Sequence, residues 1–256
     1  MTSLSVEVTM NPAARQTVLN LMRHASQMDP ERQWLRSMPG VFGMVTGVPF
    51  PTLNGAWLYQ ADADPVAVCD VLGAVADEGA PYGLQAVPEC VGVGEVVACS
   101  VGLTRGPDIP LMTLRDPGPA VPVDGLVMRE LRHADFDLRT EVAASAFEVD
   151  AAAIRRATAL FAPMPGYRMF IGEVDGVPVT TAVTISDTES VGIFDVATPA
   201  QFRGHGYGAA ITAYATRAGF VGGVSWAWLQ SSMEGFGVYE RLGFRTVEQW
   251  ALWLAG

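Results

Sequence analysis

Three glycines at alternate positions, Gly204, Gly206 and Gly208, stand in the run Arg203-Gly-His205-Gly-Tyr207-Gly-Ala209. An apolar run, Phe194 to Thr198, precedes them and a helix-forming run, Gly208 to Phe220, follows. Glycines in that spacing let consecutive backbone N–H groups face one concavity with no Cβ in the way. A helix that starts there adds amides without an intrahelical carbonyl and the positive end of its dipole. The chemistry predicted is the holding of a diphosphate. The Arg203 guanidinium adds a charge-assisted donor, a bond of about 1.5–3 kcal/mol. The run is not a P-loop, which ends in Gly-Lys-Ser/Thr, because the chain contains no lysine. Nor is it a dinucleotide fingerprint, whose third glycine follows a two-residue gap.

The strand part Val196-Ala197-Thr198 followed by this loop resembles the acyl-CoA loop of the GCN5-related N-acetyltransferases (GNATs). The resemblance implies acetyl-CoA as acyl donor. The backbone of Val196, Ala197 and Thr198 would bond the pantetheine arm. The loop from Arg203 through Gly204, His205, Gly206, Tyr207 and Gly208 to Ala209 would hold the pyrophosphate. His205 either contacts a phosphate or points to solvent. A second segment, Tyr239-Glu-Arg-Leu-Gly243-Phe244, resembles the end of the family's fourth helix. Gly243 sits where a helix needs a left-handed cap. Ser232 lies seven residues before Tyr239, where the family often has an Asn that bonds the pantetheine.

An amine attacking a thioester needs positioning, an acceptor for its proton and a donor to the departing thiolate. The resemblance places the Tyr239 phenol near the cofactor sulfur, so Tyr239 is the candidate catalytic acid. The base is unassigned. Some family members carry a Glu four residues before the position of Val196, and here that residue is Gly192. Asp195 is beside the pantetheine strand, but strict alternation turns it away from the face of Phe194 and Val196. Glu173 and Glu189, near strand ends, could act through water and otherwise read as solvated surface charges. Trp226 and Trp228 alternate on a strand and read as core. His24 and His133 have no neighbouring partners that would suggest a metal site.

The elements that position these residues follow from period and punctuation. Strands are expected at 126–131, 167–174, 177–186, 190–198, 224–230 and 244–254, and helices at 134–149, 151–162, 208–220 and 233–242. Asp175-Gly176 marks a hairpin between the second and third of those strands. This order, with about 130 residues, is that of the GNAT fold. The expected class is α/β (α+β): a mixed, mostly antiparallel sheet flanked by helices, its fourth and fifth strands splayed to admit pantetheine. The Pro/Gly-rich stretch Arg115 to Gly125 reads as a linker, separating residues 1–120 from a GNAT domain at 126–256. Residues 1–120 show a helix at 14–27, strands at 41–48, 54–60, 82–87 and 109–114, and a helix opened by Asp64-Pro65. They carry no Arg-x-x-Gly-x-Gly/Ala loop, and Gly92-Val93-Gly94 reads as a turn. They are read as a degenerate, cofactor-free tandem copy of the fold, with an unrelated α/β domain as the alternative.

The chain has 256 residues, a net charge of −11 and sixteen basic residues, all arginine. That balance argues against nucleic acid and anionic membrane as partners and suits a cationic acceptor. Arginine without lysine suggests a GC-rich bacterial genome. Cys69, Cys90 and Cys99 have neither zinc spacing nor a disulfide framework and are expected to be buried thiols in the cytoplasm. No secretory leader or membrane span is expected. The function expected is acyltransfer from acetyl-CoA to an amine of a small molecule or peptide, in a ternary complex. A non-catalytic acyl-CoA-binding regulatory module is the alternative, no metal is expected, and a homodimer stays open.

Overall fold

A computed structural model of the chain describes residues 3–28 and 35–256. The side chains of 3–11, 26, 28 and 133 fall outside that description, and with them the expectation for His133. The chain forms two compact units, Met1–Leu111 with Thr246–Gly256, and Met112–Arg245.

The first unit begins with α1 (Ser3–Met28), β1 (Leu35–Met38), β2 (Val41–Val45) and β3 (Asn54–Leu58). It continues with α2 (Pro65–Ala76), β4 (Gly83–Ala86), α3 (Val91–Val101), β5 (Thr104–Arg105) and the start of β6 (Ile109–Leu114). Helix α2 starts as its sequence dictates: the Asp64 carboxylate accepts from the Val66 N–H at 3.0 Å, and Pro65 fills the first turn. Strands β1, β2 and β3 pair antiparallel and β3 pairs parallel with β4. The parallel pair keeps register along its whole length, from Gly55↔Gly83 to Leu58↔Ala86. Gly55, at φ +136, permits this, since a Cβ there would lie 1.9 Å from the Gly83 carbonyl oxygen. The expected turn at Gly92-Val93-Gly94 is instead the first turn of α3. Glycine's poor helix propensity is overridden by packing: α3 buries Gly94, Val97 and Ala98, and Glu95 accepts from the Trp253 Nε1–H at 3.2 Å.

The second unit holds β7 (Leu126–Leu131), α4 (Phe136–Phe147), α5 (Ala151–Phe161), β8 (Arg168–Val174) and β9 (Val177–Ser186). These are followed by β10 (Ser190–Ala197), α6 (Tyr207–Val221), β11 (Trp226–Gln230), α7 (Met233–Arg241) and then β12 (Arg245–Leu254). The hairpin between β8 and β9 turns on Asp175 and Gly176, both left-handed at φ 50 and 76, as a type I′ turn requires. Strands β7 to β10 pair antiparallel in sequence order, and β10 pairs parallel with β11. The mixed, mostly antiparallel sheet expected from the sequence is thus present. Helices cover it: Leu131, Val142, Met169, Ile171 and Val183 cluster with Phe136 and Leu138 of α4 on one face. Phe170, Ala182, Ile211 and Ala215 cluster with Val196 and Tyr214 on the other, under α6.

The last strand, from Thr246 on, belongs to the first unit, where it pairs antiparallel with β4 and β5 and buries Trp250 and Trp253. Met112 and Leu114, at the end of β6, belong to the second unit and pack with Val191, Ile193, Ala227, Leu229 and Phe244. The stretch Arg115 to Gly125 contains no helix or strand and lies in the second unit.

Candidate functional site

The loop after β10 is held open at both ends. The Arg203 N–H donates to the Ala200 carbonyl at 3.2 Å, and backbone bonding resumes with Ala210 N–H to Gly206 O at 3.0 Å. Between them, no amide from Gly204 to Ala209 donates to a backbone carbonyl among the described residues. Gly204 and Gly206 are both left-handed at φ 83, which turns successive N–H groups to one side. A Cβ at Gly204 would meet no atom within 4 Å, and at Gly208 the nearest atom is Thr198 Oγ1 at 3.5 Å, so open space lies against the loop. Free amides, space and a helix N-terminus together fit a diphosphate. Arg203 is partly committed: its Nε donates to Thr198 O and its Nη2 to Ala146 O, both at 3.1 Å. Its Nη1 has no such protein bond among the described residues. The His205 Nδ1 sits 2.9 Å from Arg203 O, and its ring stacks on Tyr207 with centroids 5.4 Å apart.

Strands β10 and β11 match from Ser190↔Trp226 to Gly192↔Trp228 and then separate. This is the expected splay, and a bulge in β10 follows it. The register of β10 against β9 shifts between Phe194 and Ala197, where Asp195 takes a left-handed φ of 47. Beyond the bulge, Ala197 is buried and its carbonyl accepts from Thr180 Oγ1 at 3.1 Å, while the Thr180 and Thr198 hydroxyls meet at 2.9 Å. The bulge corrects the expectation of strict alternation. Phe194 packs with the α4-side cluster, Val196 with the α6-side cluster, and the Asp195 carboxylate pairs with Arg139 of α4. Asp195 therefore faces the same side as Phe194.

Arg139 is the side chain that sequence reasoning passed over. It is wholly buried, donates through Nη1 to Thr158 Oγ1 of α5 at 2.6 Å, and pairs through Nη2 with Asp195. The Tyr167 hydroxyl close by is buried, and desolvation pushes it up to about 12. The signal was available: Arg139 lies three residues after Phe136 and four before the buried Ala143, on the inward stripe of α4. An arginine there calls for a buried counter-charge.

Tyr239 lies on α7, its ring against Gly235 one turn earlier and edge-on to Phe244, with centroids 6.1 Å apart. Burial pushes its hydroxyl up to about 12. The turn after α7 closes as expected, with Gly243 at φ 95 and the Phe244 N–H on Tyr239 O at 3.0 Å. The Ser232 hydroxyl caps α7, accepting from the Gly235 N–H at 3.2 Å, a role that leaves its proton free to donate elsewhere. Trp226 and Trp228 are core, as expected. Glu173 is tied to Arg129 at 3.0 Å. Of the three cysteines expected to be buried, Cys90 is, Cys69 is half-buried and Cys99 is exposed; both of the latter lie on helix surfaces. No metal-binding cluster occurs among the described residues, and none of their helices is long and apolar enough to cross a membrane.

No protein-family model matches the chain, and no curated protein sequence does. Solved structures do match. A GCN5-related N-acetyltransferase from Kribbella flavida is 25% identical with a TM-score of 0.69, over 96% of each chain. One from Sphaerobacter thermophilus is 15% identical with a TM-score of 0.63, over 84% of this chain and 76% of its own. A tandem GNAT protein from the clavulanic acid biosynthesis pathway is 16% identical with a TM-score of 0.56, over 84% and 78%. The chain has the fold of the GCN5-related N-acetyltransferases. The likeness runs through both units, as in a tandem GNAT.

Proposed function

We propose that the second unit is an N-acetyltransferase that passes the acetyl group of acetyl-CoA to an amine of a small molecule or peptide, with both substrates bound together. The observation that carries this reading is the row of unpaired amides from Gly204 to Ala209, beside the end of a strand that parts from its parallel neighbour. Val196, Ala197 and Thr198 would hold the pantetheine arm, with Ser232 nearby, and Arg203 to Ala209 the diphosphate. When bound, acetyl-CoA supplies the acyl thioester. The chain supplies positioning and proton handling. The amine attacks as its free base and releases its surplus proton to water; Tyr239, kept protonated by its burial, gives its proton to the departing thiolate and regains one from water.

Titration with acetyl-CoA followed by a thiol-release assay over an amine panel tests the reading. A flat calorimetric trace at millimolar ligand would end it. Binding without turnover across the panel would favour the second reading, a regulatory acyl-CoA-binding module. That alternative draws support from Gly192, which leaves no carboxylate where some members of the family carry a Glu.

Two further outcomes are expected here. Arg203→Ala weakens acetyl-CoA binding about tenfold or more, the worth of one charge-assisted bond, while the chain stays folded with a melting temperature lowered by the loss of its bonds to Thr198 O and Ala146 O. Unchanged affinity would remove Arg203 from the site. Among its described residues the first unit shows no counterpart of the slot: β3 and β4 stay in register from Gly55↔Gly83 to Leu58↔Ala86. Calorimetry should therefore saturate at one equivalent of acetyl-CoA per chain, and two equivalents would refute the assignment of a cofactor-free copy.

A further inference from the structure

We propose that Asp195 is the acceptor-binding residue of the second unit: its carboxylate takes the ammonium group of a primary amine carried on an apolar stem, and Arg139 is the positioning residue behind it. The inference rests on the acetyltransferase reading and names its acceptor class.

The ion pair is polarised. Arg139 has no exposed surface, whereas the Asp195 side chain is 45% exposed. A guanidinium inside a protein needs hydrogen-bonded counter-groups; here Thr158 Oγ1 and Asp195 Oδ2 provide two, and Nε is left buried without one among the described residues. A carboxylate accepts about four hydrogen bonds. Arg139 uses one of the two oxygens, and Asp195 Oδ1 has no protein partner among the described residues. The result is a fixed dipole with its cation sunk between α4 and α5 and its anion outward. Asp195 takes a left-handed φ at a non-glycine residue, with its half-exposed carboxylate on the strand that borders the slot. Strain of this kind is characteristic of sites where a group must be presented.

The surroundings select the rest of the ligand. Phe194, next to Asp195, lies edge-on to Trp228 with centroids 5.2 Å apart. An open groove of about 480 Å³ is lined by Phe136, Ala159, Ala162 and Pro163. Phe136 and Arg139 are one turn apart on α4, and Thr158 and Ala162 one turn apart on α5, so groove and ion pair share the same two helices. An apolar groove and one half-exposed carboxylate match an alkyl or aralkyl primary amine. A carboxylate on the stem would face the field of Asp195, so amino acids are poor acceptors.

The test titrates the full chain with 2-phenylethylamine, with and without saturating acetyl-CoA, using 3-phenylpropionate as the charge-reversed control. The wild type should bind the amine and not the acid. Asp195→Asn should weaken the amine at least tenfold and raise its KM to the same extent, with kcat and acetyl-CoA affinity within threefold. Arg139→Met combined with Asp195→Asn removes both charges and leaves no unpaired buried cation, so a folded variant is at hand if the single one unfolds. Equal amine affinity in wild type and a folded variant overturns the inference, as does no amine binding by the wild type. A parallel loss of amine and acetyl-CoA affinity also overturns it, because Asp195 would then be a support for the strand. If acetyl-CoA fails to bind while amine binding still depends on Asp195, the transferase reading falls and the amine site stands.

Discussion

Replacing Tyr239 with phenylalanine should lower kcat about 10²- to 10⁴-fold, the usual worth of a positioned acid, while acetyl-CoA affinity changes less than threefold. The substitution removes one oxygen from a ring whose packing against Gly235 and Phe244 remains. The fold therefore keeps its contacts, and steady-state kinetics beside calorimetry separate the two effects. A pH profile adds a second check. The hydroxyl is pushed up to about 12 from an ordinary value near 10. The acid form is the working form, so turnover should show no loss from Tyr239 ionisation through pH 10 and should decline only as the pH approaches 12. The same shift means that the folded state holds this proton more tightly than the unfolded chain. Its contribution to stability is full below pH 10 and is lost as the pH rises through 12. Equal losses of turnover and cofactor affinity in Tyr239→Phe would refute the acid role.

Introducing a carboxylate at Gly192, where the resemblance implies that some GNATs carry a Glu, should cost stability and restore nothing. A Cβ at Gly192 would stand 2.6 Å from Phe194 Cε2 and 2.8 Å from Trp228 Cζ2. Two rings that meet edge-on already fill that space. Gly192→Ala should therefore cost about 1–3 kcal/mol by overpacking. Gly192→Glu adds the desolvation of a carboxylate, an effective penalty of several kcal/mol. Thermal melting of both variants measures this. A folded Gly192→Glu with raised turnover would show that the aromatic pair yields and that the missing base is the limiting defect. Gly192 is thus committed to aromatic packing, which explains in steric terms why the base is absent from that position.

Local chemistry made most of the second unit legible. The Asp175-Gly176 turn, the left-handed cap at Gly243 and the alternating glycines before α6 are each dictated within a few residues, and the structure places them as expected. The splay was expected only through resemblance. Just beyond it the strand bulges at Asp195, whose carboxylate pairs with an arginine 56 positions earlier in the chain, and no periodicity encodes a contact of that range. Helix α3 was hidden for a related reason. Its run Val-Gly-Val-Gly has weak helical preference, and its partner Trp253 lies 158 residues after Glu95. The groove between α4 and α5 was invisible because Phe136, Ala159, Ala162 and Pro163 carry no chemical signature until the two helices bring them together.

The assignment of Thr246–Gly256 to the first unit has a consequence during synthesis. Chains emerge at about 5–20 residues per second, so on the order of ten seconds pass between the exit of β4 and that of its neighbour β12. Through that interval the earlier-born half exposes an incomplete edge and the apolar bed meant for Trp250 and Trp253. The half made first is the last to be sealed, and a nascent chain stalled before residue 246 would leave its opening half, rather than its closing one, exposed to aggregation and proteolysis.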